Sequence, residues 1–415
     1  MREVEVRDTC RACGGPIIGV FDLGAHWPSE FPEFLGEHAR PRVPLNLIRC
    51  HRCGLIQLEH TVPPEWMFKE HYWYRSGLNE AMVRALDSVV WAAIAEVPLH
   101  SKMTVLDIGA NDGTLLSLYK KRLGGGCPLR IAFEPAGNLR AELRAHAEAV
   151  VPDFFPQPEH PLVVPEALDV ITSIACFYAH PDPGKFCAEV KRLLRPEGVW
   201  INQLAYLPKI LSNSAYDSIC HEHLTYWSLS PMIRLLHRWG LEVFDAEEVA
   251  VNEGSIRLMI GHEGRRPVRA RVSEILGREE ELRLRDTNDP YLALKRSAEM
   301  IREDILSEII DVQSRGGIVD LLGASTKGNT LLQWCGLYPP TVRRAIERSP
   351  EKWGRYTVTG VPIVSEEEGR RDPAALLIVL PWAFRDQLIE RERGKWPRGT
   401  KLLFPMPSME VFEYV

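Results

Sequence analysis

Four cysteines in two Cys-x-x-Cys pairs are the residues of this 415-residue sequence whose types and spacing most clearly favour chemistry. The pairs are Cys10/Cys13 and Cys50/Cys53, and each is followed by a glycine, which lets backbone N–H groups turn toward the sulfurs. Four thiolates satisfy tetrahedral Zn²⁺ and leave no open coordination position, so the spacing predicts a structural zinc site. A redox pair fits less well, because there are two pairs and no thioredoxin-like context. Four unrelated buried cysteines are the alternative without a metal.

The triplet His221-Glu222-His223 is a second candidate for chemistry, and its residue types suit general acid–base catalysis. An imidazole titrates near neutral pH, and a neighbouring carboxylate such as Glu222 can orient it and raise its basicity. The triplet offers neither the i, i+4 histidine pair of a helical zinc protease nor an obvious third ligand, which disfavours a metal. A solvent-exposed polar turn is the alternative without a function.

A glycine-containing turn follows the apolar stretch 105–108 and leads into a helical pattern over 114–122. A strand–turn–helix of this kind lets a nucleotide approach backbone amides that no side chain shields. The spacing Gly109-x-x-x-Gly113 departs from the G-x-G-x-x-G pattern of dinucleotide sites, so we favour S-adenosylmethionine over NAD. A turn that packs without any ligand is the remaining alternative.

Polar residues after several predicted strands should complete this cofactor site. The apolar stretch 130–133 ends in Glu134, where the hydroxyl pair of a ribose would seek a carboxylate. Ligands of open α/β sheets bind at the carboxyl ends of the strands, so residues that follow different strands should share one crevice. The predicted cofactor-binding residues are Asp107, Gly109, Asn111, Asp112, Glu134, Asp153 and Phe154.

A second strand–loop–helix pattern occurs in the C-terminal part, where the apolar stretch 318–322 leads into the loop 323–330. Lys327 precedes Gly328, which is not the order of a P-loop, so ATP hydrolysis is disfavoured. A diphosphate could still rest on the loop amides, with Lys327 as a point charge. The predicted substrate-binding residues are Ser325, Thr326, Lys327 and Asn329.

The elements that must position these residues alternate between strand and helix. Predicted strands at 105–108, 130–133, 149–155, 168–173 and 199–202, with helices between them, indicate an α/β fold with a mostly parallel sheet. An amphipathic helix over 79–96 precedes this sheet, a long helix over 290–315 follows it, and apolar stretches at 375–380 and 401–404 are consistent with a second parallel sheet. We predict three domains, at 1–70, 71–285 and 286–415.

Composition excludes several classes of protein. A formal net charge of −6 argues against a nonspecific nucleic-acid or anionic-membrane surface. No stretch approaches the length of a membrane span and the N-terminus has no apolar signal region, so we expect a soluble cytoplasmic protein. Nine cysteines, an odd number without an export signal, indicate metal ligands and free thiols rather than disulfides.

Together, these motifs resemble the bacterial sugar C-methyltransferases. The resemblance rests on the cysteine pairs, Asn111-Asp112-Gly113, Ala179-His180, the His-Glu-His triplet and the loop 323–330, and it covers essentially the whole chain. It implies a zinc-binding N-terminal domain, a central Rossmann-like class I methyltransferase domain and a C-terminal Rossmann-like domain that helps to hold a nucleotide sugar. The implied reaction is S-adenosylmethionine-dependent methylation, through an enolate, of a carbon alpha to the keto group of a dTDP-linked 4-keto-6-deoxysugar, in deoxysugar and antibiotic biosynthesis.

The resemblance also implies roles for individual residues. The catalytic base of the family corresponds to His223, beside Glu222, and a second histidine near the cleft corresponds to His180, which is the alternative, either as base or as a donor to the keto oxygen. The active-site tyrosine upstream of the glycine turn maps to Tyr74, with Tyr72 as the alternative; aromatic residues before a helix can equally be packing. The family usually has a tyrosine where this chain has Cys220, which leaves the sugar and the methylated carbon open.

Two other functions stay open. Cys220 favours, as the alternative, a zinc-containing protein that binds S-adenosylmethionine and a nucleotide sugar without turnover or with altered specificity. The cysteine pairs could also suit a nucleic-acid methyltransferase, but net acidity and the lack of a basic stripe count against it. We expect a nucleotide-linked keto sugar as the partner, no nucleic acid and no membrane, and a monomer or a weak homo-oligomer.

Overall fold

The N-terminal part is an antiparallel sheet that carries both cysteine pairs at its ends. The structure, a computed structural model, describes residues 3–69, 71–97, 100, 102–124 and 128–414. The elements of this part are β1 (Glu5–Val6), β2 (Ile17–His26), β3 (Val43–Cys50), β4 (Ile56–Leu58), β5 (His60–Thr61) and α1 (Glu65–Phe68). Strands β2, β3 and β4 pair in that order, and β1 pairs with β5.

The central part is a seven-stranded sheet with helices on both faces. Its elements are α2 (Glu80–Glu96), β6 (Thr104–Ile108), α3 (Thr114–Leu123), β7 (Leu129–Phe133), α4 (Arg140–Leu143), β8 (Ala149–Val151), β9 (Leu168–Ile174), α5 (Pro183–Leu193), β10 (Leu194–Ala205), α6 (Leu207–Ser212), β11 (Thr225–Tyr226), α7 (Leu229–His237), β12 (Leu241–Val249) and β13 (Ser255–His262). The strand order is β12-β13-β10-β9-β6-β7-β8, parallel from β10 to β8 and antiparallel at β13 and β12.

The uninterrupted apolar character of β6 follows from burial on both faces. Val105 packs into one core cluster with Leu86 and Leu116, whereas Leu106 packs into another with Phe186. A strand covered on both sides reads as an apolar run rather than as an alternating pattern. The strand predicted over 149–155 ends at Val151, because the next residue is Pro152, which has no N–H for a ladder.

The C-terminal part contains a second, mostly parallel sheet. Its elements are α8 (Ala270–Glu281), α9 (Asp289–Ser314), β14 (Val319–Leu322), α10 (Thr326–Cys335), β15 (Ala345–Glu347), β16 (Ile363–Ser365), α11 (Glu366–Arg371), β17 (Leu376–Val379), α12 (Arg385–Glu392), β18 (Lys401–Phe404) and β19 (Glu410–Glu413). The order is β16-β15-β14-β17-β18-β19, with β19 antiparallel. The α/β prediction is confirmed for both large sheets.

The three parts are joined by shared structure. Strand β11, directly after the His-Glu-His triplet, pairs with β4 and so completes the N-terminal sheet. One apolar cluster contains Leu47 of β3, Ile219 of the segment before the triplet, and Ile301 of α9. The domain bounds stay a prediction. Within the described ranges, no helix combines the length and apolar character needed to cross a membrane.

Candidate functional site

The two cysteine pairs meet in one cluster. The Sγ atoms of Cys10 and Cys53 lie 3.7 Å apart, those of Cys13 and Cys50 lie 3.4 Å apart, and all four lie within 4.8 Å of one another. Sulfurs about 2.3 Å from a tetrahedral zinc are separated by similar distances. In both pairs the following glycine N–H donates to the carbonyl of the first cysteine, from a backbone with φ of 65° at position 14 and 82° at position 54. The residues fit Zn²⁺.

A cavity of about 370 Å³ lies at the carboxyl ends of β6, β7 and β9 and brings most of the predicted site residues together. On one side it is lined by Asp107, Gly109, Asn111, Glu134, Asp153 and Phe154. On the other side it is lined by Tyr72, Tyr74, His180, Glu222, His223 and Lys327. Asp112, Cys220, Ser325, Thr326 and Asn329 are not among its lining residues. The volume falls within the range of small-molecule sites.

The glycine turn lets another group approach the backbone at Gly109 closely, but the N–H groups of Gly109, Ala110 and Asn111 already have acceptors. Gly109 and Ala110 both donate their N–H groups to the carbonyl of Phe133, and Asn111 donates its N–H to Glu134. Gly109 has φ of 71°, and an added Cβ would lie 3.0 Å from that of Cys176. The expectation that a ligand binds to free amides is therefore wrong for these three residues. Glycine is still required at position 109, because its φ is positive and a Cβ would crowd Cys176.

Glu134 faces the cavity from the end of β7, as expected for a carboxylate that meets ribose hydroxyls. Its Oε2 accepts from Asn111 N–H at 2.8 Å and its Oε1 from Ala136 N–H at 2.9 Å. Burial raises the pKa of this carboxyl, and the two amides oppose that rise. Each carboxylate oxygen accepts more than one hydrogen bond, so both remain available to a diol.

Asp107 is a buried carboxyl near the end of β6 that lines the cavity. It accepts from the hydroxyl of Thr172 at 2.6 Å, and burial raises its pKa to about 7. A cation in the cavity would favour the charged carboxylate. This environment suits the ammonium group of an amino acid.

Asn111 and Asp112 hold the tyrosine segment against the turn. The Asn111 side chain accepts from Ser76 N–H and donates to the carbonyl of Tyr74, both at 3.0 Å. Asp112 accepts from Gly77 N–H at 2.7 Å and from Thr114 at the start of α3. Asn111 and Asp112 therefore fix the segment 74–77 against the turn, and Asp112 does not line the cavity.

His223 presents a neutral imidazole to the cavity. Its side chain is buried, with 5% of the residue exposed, and its ring centroid lies 4.0 Å from that of Tyr178. Burial, reinforced by the positive charge of Lys327, holds the pKa of His223 well below its usual value. The ring is therefore unprotonated, and able to accept a proton, throughout the neutral range.

Glu222 does not pair with His223 as the adjacent positions suggested. Burial raises its pKa to about 7, while Lys327 and a hydrogen bond with the Thr326 side chain oppose that rise. The carboxyl thus shares a hydrogen bond with Thr326 at the start of α10, and not with the imidazole.

Three family models match consecutive parts of the chain: "Putative zinc binding domain" over 10–68, "Methyltransferase domain" over 78–246 and "C-methyltransferase C-terminal domain" over 250–407. C-methyltransferase NovU of Streptomyces niveus is 26% identical over 418 residues, which cover 97% of this chain and 96% of NovU. Together the three models match most of the chain, so the chain is a methyltransferase that is similar to the C-methyltransferases over almost its whole length. S-adenosylmethionine is the methyl donor and zinc the structural metal of this C-methyltransferase, as predicted.

Solved methyltransferase structures are also similar to part of this C-methyltransferase. Mitomycin 7-O-methyltransferase MmcR is 16% identical with a TM-score of 0.35, and the match covers 45% of this chain and 55% of MmcR. The 1,6-didemethyltoxoflavin-N1-methyltransferase of Burkholderia thailandensis is also 16% identical with a TM-score of 0.34, covering 45% of this chain and 80% of that chain.

His180 of the C-methyltransferase has both ring nitrogens engaged. Nε2 lies 3.1 Å from the carbonyl of Phe155, which can only accept, so Nε2 carries the proton. Nδ1 accepts from Asp182 N–H at 3.0 Å, and burial lowers the pKa of His180 to about 4. Neither nitrogen is free to remove a proton, which corrects the expectation of His180 as an alternative base.

Three residues of the C-terminal loop make hydrogen bonds to the surrounding framework and do not line the cavity themselves. Ser325 caps α10 by accepting from Gly328 N–H, and Asn329 donates to the hydroxyl of Ser29 at 2.8 Å. The carbonyl of Thr326 accepts from the same serine hydroxyl. Ser325 and Asn329 thus bond to α10 and to the N-terminal part, and the Thr326 side chain reaches the cavity only through Glu222, so direct substrate binding by these three residues stays a prediction.

Lys327 is the member of that loop that reaches the cavity. Its Nζ donates to Glu253 at 2.6 Å and to the hydroxyl of Ser218 at 3.1 Å. Glu253 lies on the β12–β13 turn, where it and Asn252 have positive φ. The ammonium is already paired, which makes it a poor free charge for a diphosphate, and it lies where its field reaches Glu222 and His223.

Cys220, one of the predicted catalytic residues, does not line the cavity. It is buried and outside the cavity lining, and burial raises the pKa of its thiol, so it stays protonated. Sequence reasoning placed the segment that contains Tyr178 near the crevice but did not select this tyrosine. The pattern Phe-Tyr-Ala-His after β9 was the available signal, and the contact with His223 supplies what the pattern lacked.

Replacing Glu134 by Gln should weaken binding of S-adenosylmethionine by roughly 10- to 100-fold, since a charge-assisted hydrogen bond contributes about 1.5–3 kcal/mol. Isothermal titration calorimetry measures this. The matched control is Glu347→Gln, because Glu347 at the end of β15 accepts from Ala324 N–H at 2.7 Å and Ser349 N–H at 2.8 Å, the same two-amide arrangement. Equal affinity losses in both variants would contradict a ribose contact at Glu134.

Proposed function

We propose that this C-methyltransferase methylates a carbon alpha to the keto group of a nucleotide-linked 4-keto-6-deoxysugar, with dTDP as the expected nucleotide. The observation that carries the proposal is that the neutral imidazole of His223 lines the same cavity as Asp107, Gly109 and Glu134. A proton acceptor and the expected cofactor residues therefore face one volume.

Carbon becomes a nucleophile only when a proton is removed from it, and a neighbouring ketone acidifies that proton. Bound S-adenosylmethionine supplies an electrophilic methyl group. His223 accepts the α-proton, and the geometry of the cavity must hold the resulting enolate for in-line transfer. The nearby charge of Lys327 disfavours an imidazolium, which keeps His223 in the unprotonated form before the transfer.

The lining of the substrate side supports a hydroxylated sugar. Tyr72, Gln203, Asn252 and Ser255 contribute polar groups around the volume that His223 faces. Polar side chains of this kind can exchange hydrogen bonds with sugar hydroxyls, which an apolar substrate cannot do. Together with the family resemblance, this lining supports a sugar over an apolar acceptor.

Turnover with a panel of nucleotide sugars tests the proposal. We expect a dTDP-linked 4-keto-6-deoxysugar, incubated with the protein and S-adenosylmethionine, to gain one methyl group on a carbon next to the ketone, detected by mass spectrometry and located by NMR. The matched control is the same nucleotide sugar with a C4 hydroxyl, whose α-proton is not acidified. Methylation of both compounds, or of an oxygen, would refute the enolate chemistry.

A protein that binds both ligands without turnover is the alternative function. It rests on Cys220 in place of a tyrosine, and Cys220 itself does not line the cavity. Binding of S-adenosylmethionine and the keto sugar, with neither methylation nor hydrogen exchange, would favour this alternative.

A further inference from the structure

Three phenols line the central cavity, and one of them lies against the proposed base. Tyr178 has its ring centroid 4.0 Å from that of His223, with the two planes tilted by 51°. Tyr74 is 40% exposed, near the surface residue Arg348. Tyr72 lies on the segment that precedes α2 and has its backbone held by Asn138. Tyr178 is thus the phenol that is positioned directly with the imidazole.

The backbone of Tyr178 is fixed from the strand that follows the His-Glu-His triplet. The hydroxyl of Thr225 on β11 donates to the Tyr178 carbonyl at 3.0 Å, and Trp227 Nε1 donates to that hydroxyl at 2.8 Å. The preceding residue, Phe177, is fully buried and packs its ring against Phe186, with centroids 5.0 Å apart. The phenol therefore projects from a rigid turn, as a preorganised donor must.

The phenolic O–H of Tyr178 is available as a donor. It makes no hydrogen bond to any of the described residues, and the side chain faces the cavity. Burial, followed by the nearby Tyr72, Cys220 and Glu222, raises the pKa of Tyr178 well above its usual value. The group therefore keeps its proton at physiological pH, and its O–H can donate to an oxygen of the substrate.

Competing donors are less suitable. Both nitrogens of His180 are engaged, and the ammonium of Lys327 is paired with Glu253. The thiol of Cys220 lies outside the cavity lining. An enolate oxygen generated beside His223 needs a donor on the same side of the cavity, and Tyr178 meets that requirement.

We propose that Tyr178 is a catalytic residue whose phenolic O–H donates a hydrogen bond to the keto oxygen and to the enolate oxygen formed when His223 removes the α-proton. The proposal rests on the proposed function. The C–H bond breaks, its proton goes to the His223 imidazole, and its electron pair forms the enolate. The enolate carbon then bonds to the methyl group, the sulfonium becomes a thioether, the ketone is restored, and His223 releases its proton to solvent.

The test is hydrogen exchange of the substrate α-position in deuterated water without a methyl donor, together with steady-state methyl transfer. The variant is Tyr178→Phe, which keeps the ring against His223 and the backbone bond to Thr225. We expect exchange and kcat to fall by about 100-fold, as for loss of one oxyanion donor, with KM and the affinity for S-adenosylmethionine within about threefold of wild type. A purely structural role would not separate kcat from KM and cofactor affinity in this way.

The matched control is Tyr119→Phe, which removes the hydroxyl of a fully buried tyrosine outside the cavity lining. It should leave exchange unchanged. If Tyr178→Phe exchanges within threefold of wild type while wild type exchanges and methylates the sugar, the inference fails and the proposed function stands. A rise in KM at unchanged kcat also refutes it, since Tyr178 would then only bind substrate. A wild-type protein that neither exchanges nor methylates any 4-keto sugar overturns the proposed function and the inference with it.

Discussion

Replacing His223 by Asn should abolish both α-hydrogen exchange and methyl transfer while leaving binding of S-adenosylmethionine intact. Asparagine approximates the size of the imidazole and keeps polar atoms in the cavity, but it cannot accept a proton. Loss of a positioned general base costs about 100- to 10,000-fold, and we expect the upper part of that range because a buried site admits little water to substitute. Exchange is followed by mass spectrometry and cofactor binding by calorimetry.

The matched control is His221→Asn, two residues earlier in the same triplet. Its Nε2 lies 3.0 Å from the carbonyl of Val43 on β3, so it serves the N-terminal sheet and not the cavity. This variant should lose stability but retain exchange in the folded protein. Unchanged exchange in His223→Asn would move the base elsewhere, and His180→Asn would then be examined despite its two engaged nitrogens.

The pH dependence of the reaction gives an independent check on His223. Burial lowers its pKa well below 6.5, so the imidazole is unprotonated above that lowered value and becomes protonated only as pH falls through it. A base in this state should therefore not limit kcat between about pH 6.5 and 8, where an unperturbed histidine would still titrate. Glu222, whose pKa burial raises to about 7, is the group beside it that changes charge within this window.

The sequence was sufficient wherever a function depends on chain-local spacing. The Cys-x-x-Cys pairs and the turn at Gly109 were found because short-range backbone geometry sets both. Alternating apolar stretches located the parallel strands, although β8 stops early at Pro152. Glu134 was found because a strand of known direction places its last side chain at the ligand edge.

Side-chain partners that come from distant segments could not be predicted. Lys327 pairs with Glu253, which is 74 positions away, and this pairing removes the free charge that the loop pattern suggested. The contact of Tyr178 with His223 joins two segments that follow different strands. Adjacent residues also differ in their partners, because Glu222 shares a hydrogen bond with Thr326 whereas the ring of His223 packs against Tyr178, although both line the cavity. Burial and orientation at this scale are set by tertiary packing, which no residue pattern encodes.

Replacing Cys50 by Ser should remove the bound zinc and destabilise the protein by at least about 3 kcal/mol, since structural zinc contributes on the order of 10 kcal/mol to small zinc domains. Cys50 is fully buried at the end of β3. Its N–H donates to the carbonyl of Leu55 and its carbonyl accepts from Gly54 N–H, which closes the turn that carries Cys50 and Cys53. Metal analysis and chemical unfolding measure the two effects. The control is Cys187→Ser, another fully buried cysteine but outside the cluster, which should keep one zinc.

The zinc site should affect catalysis only through the fold. Strand β3, which ends at Cys50, pairs with β4, and β4 pairs with β11. The cysteine cluster is therefore two strands away from the segment that carries His223. With four thiolates around it the metal has no open position for a substrate, so the exchange rate per folded molecule of Cys50→Ser should match wild type. A variant that keeps one zinc per chain would contradict the assignment of Cys50 as a ligand. A folded, zinc-free variant without exchange would instead show that the metal holds β11, and with it the orientation of His223, in place.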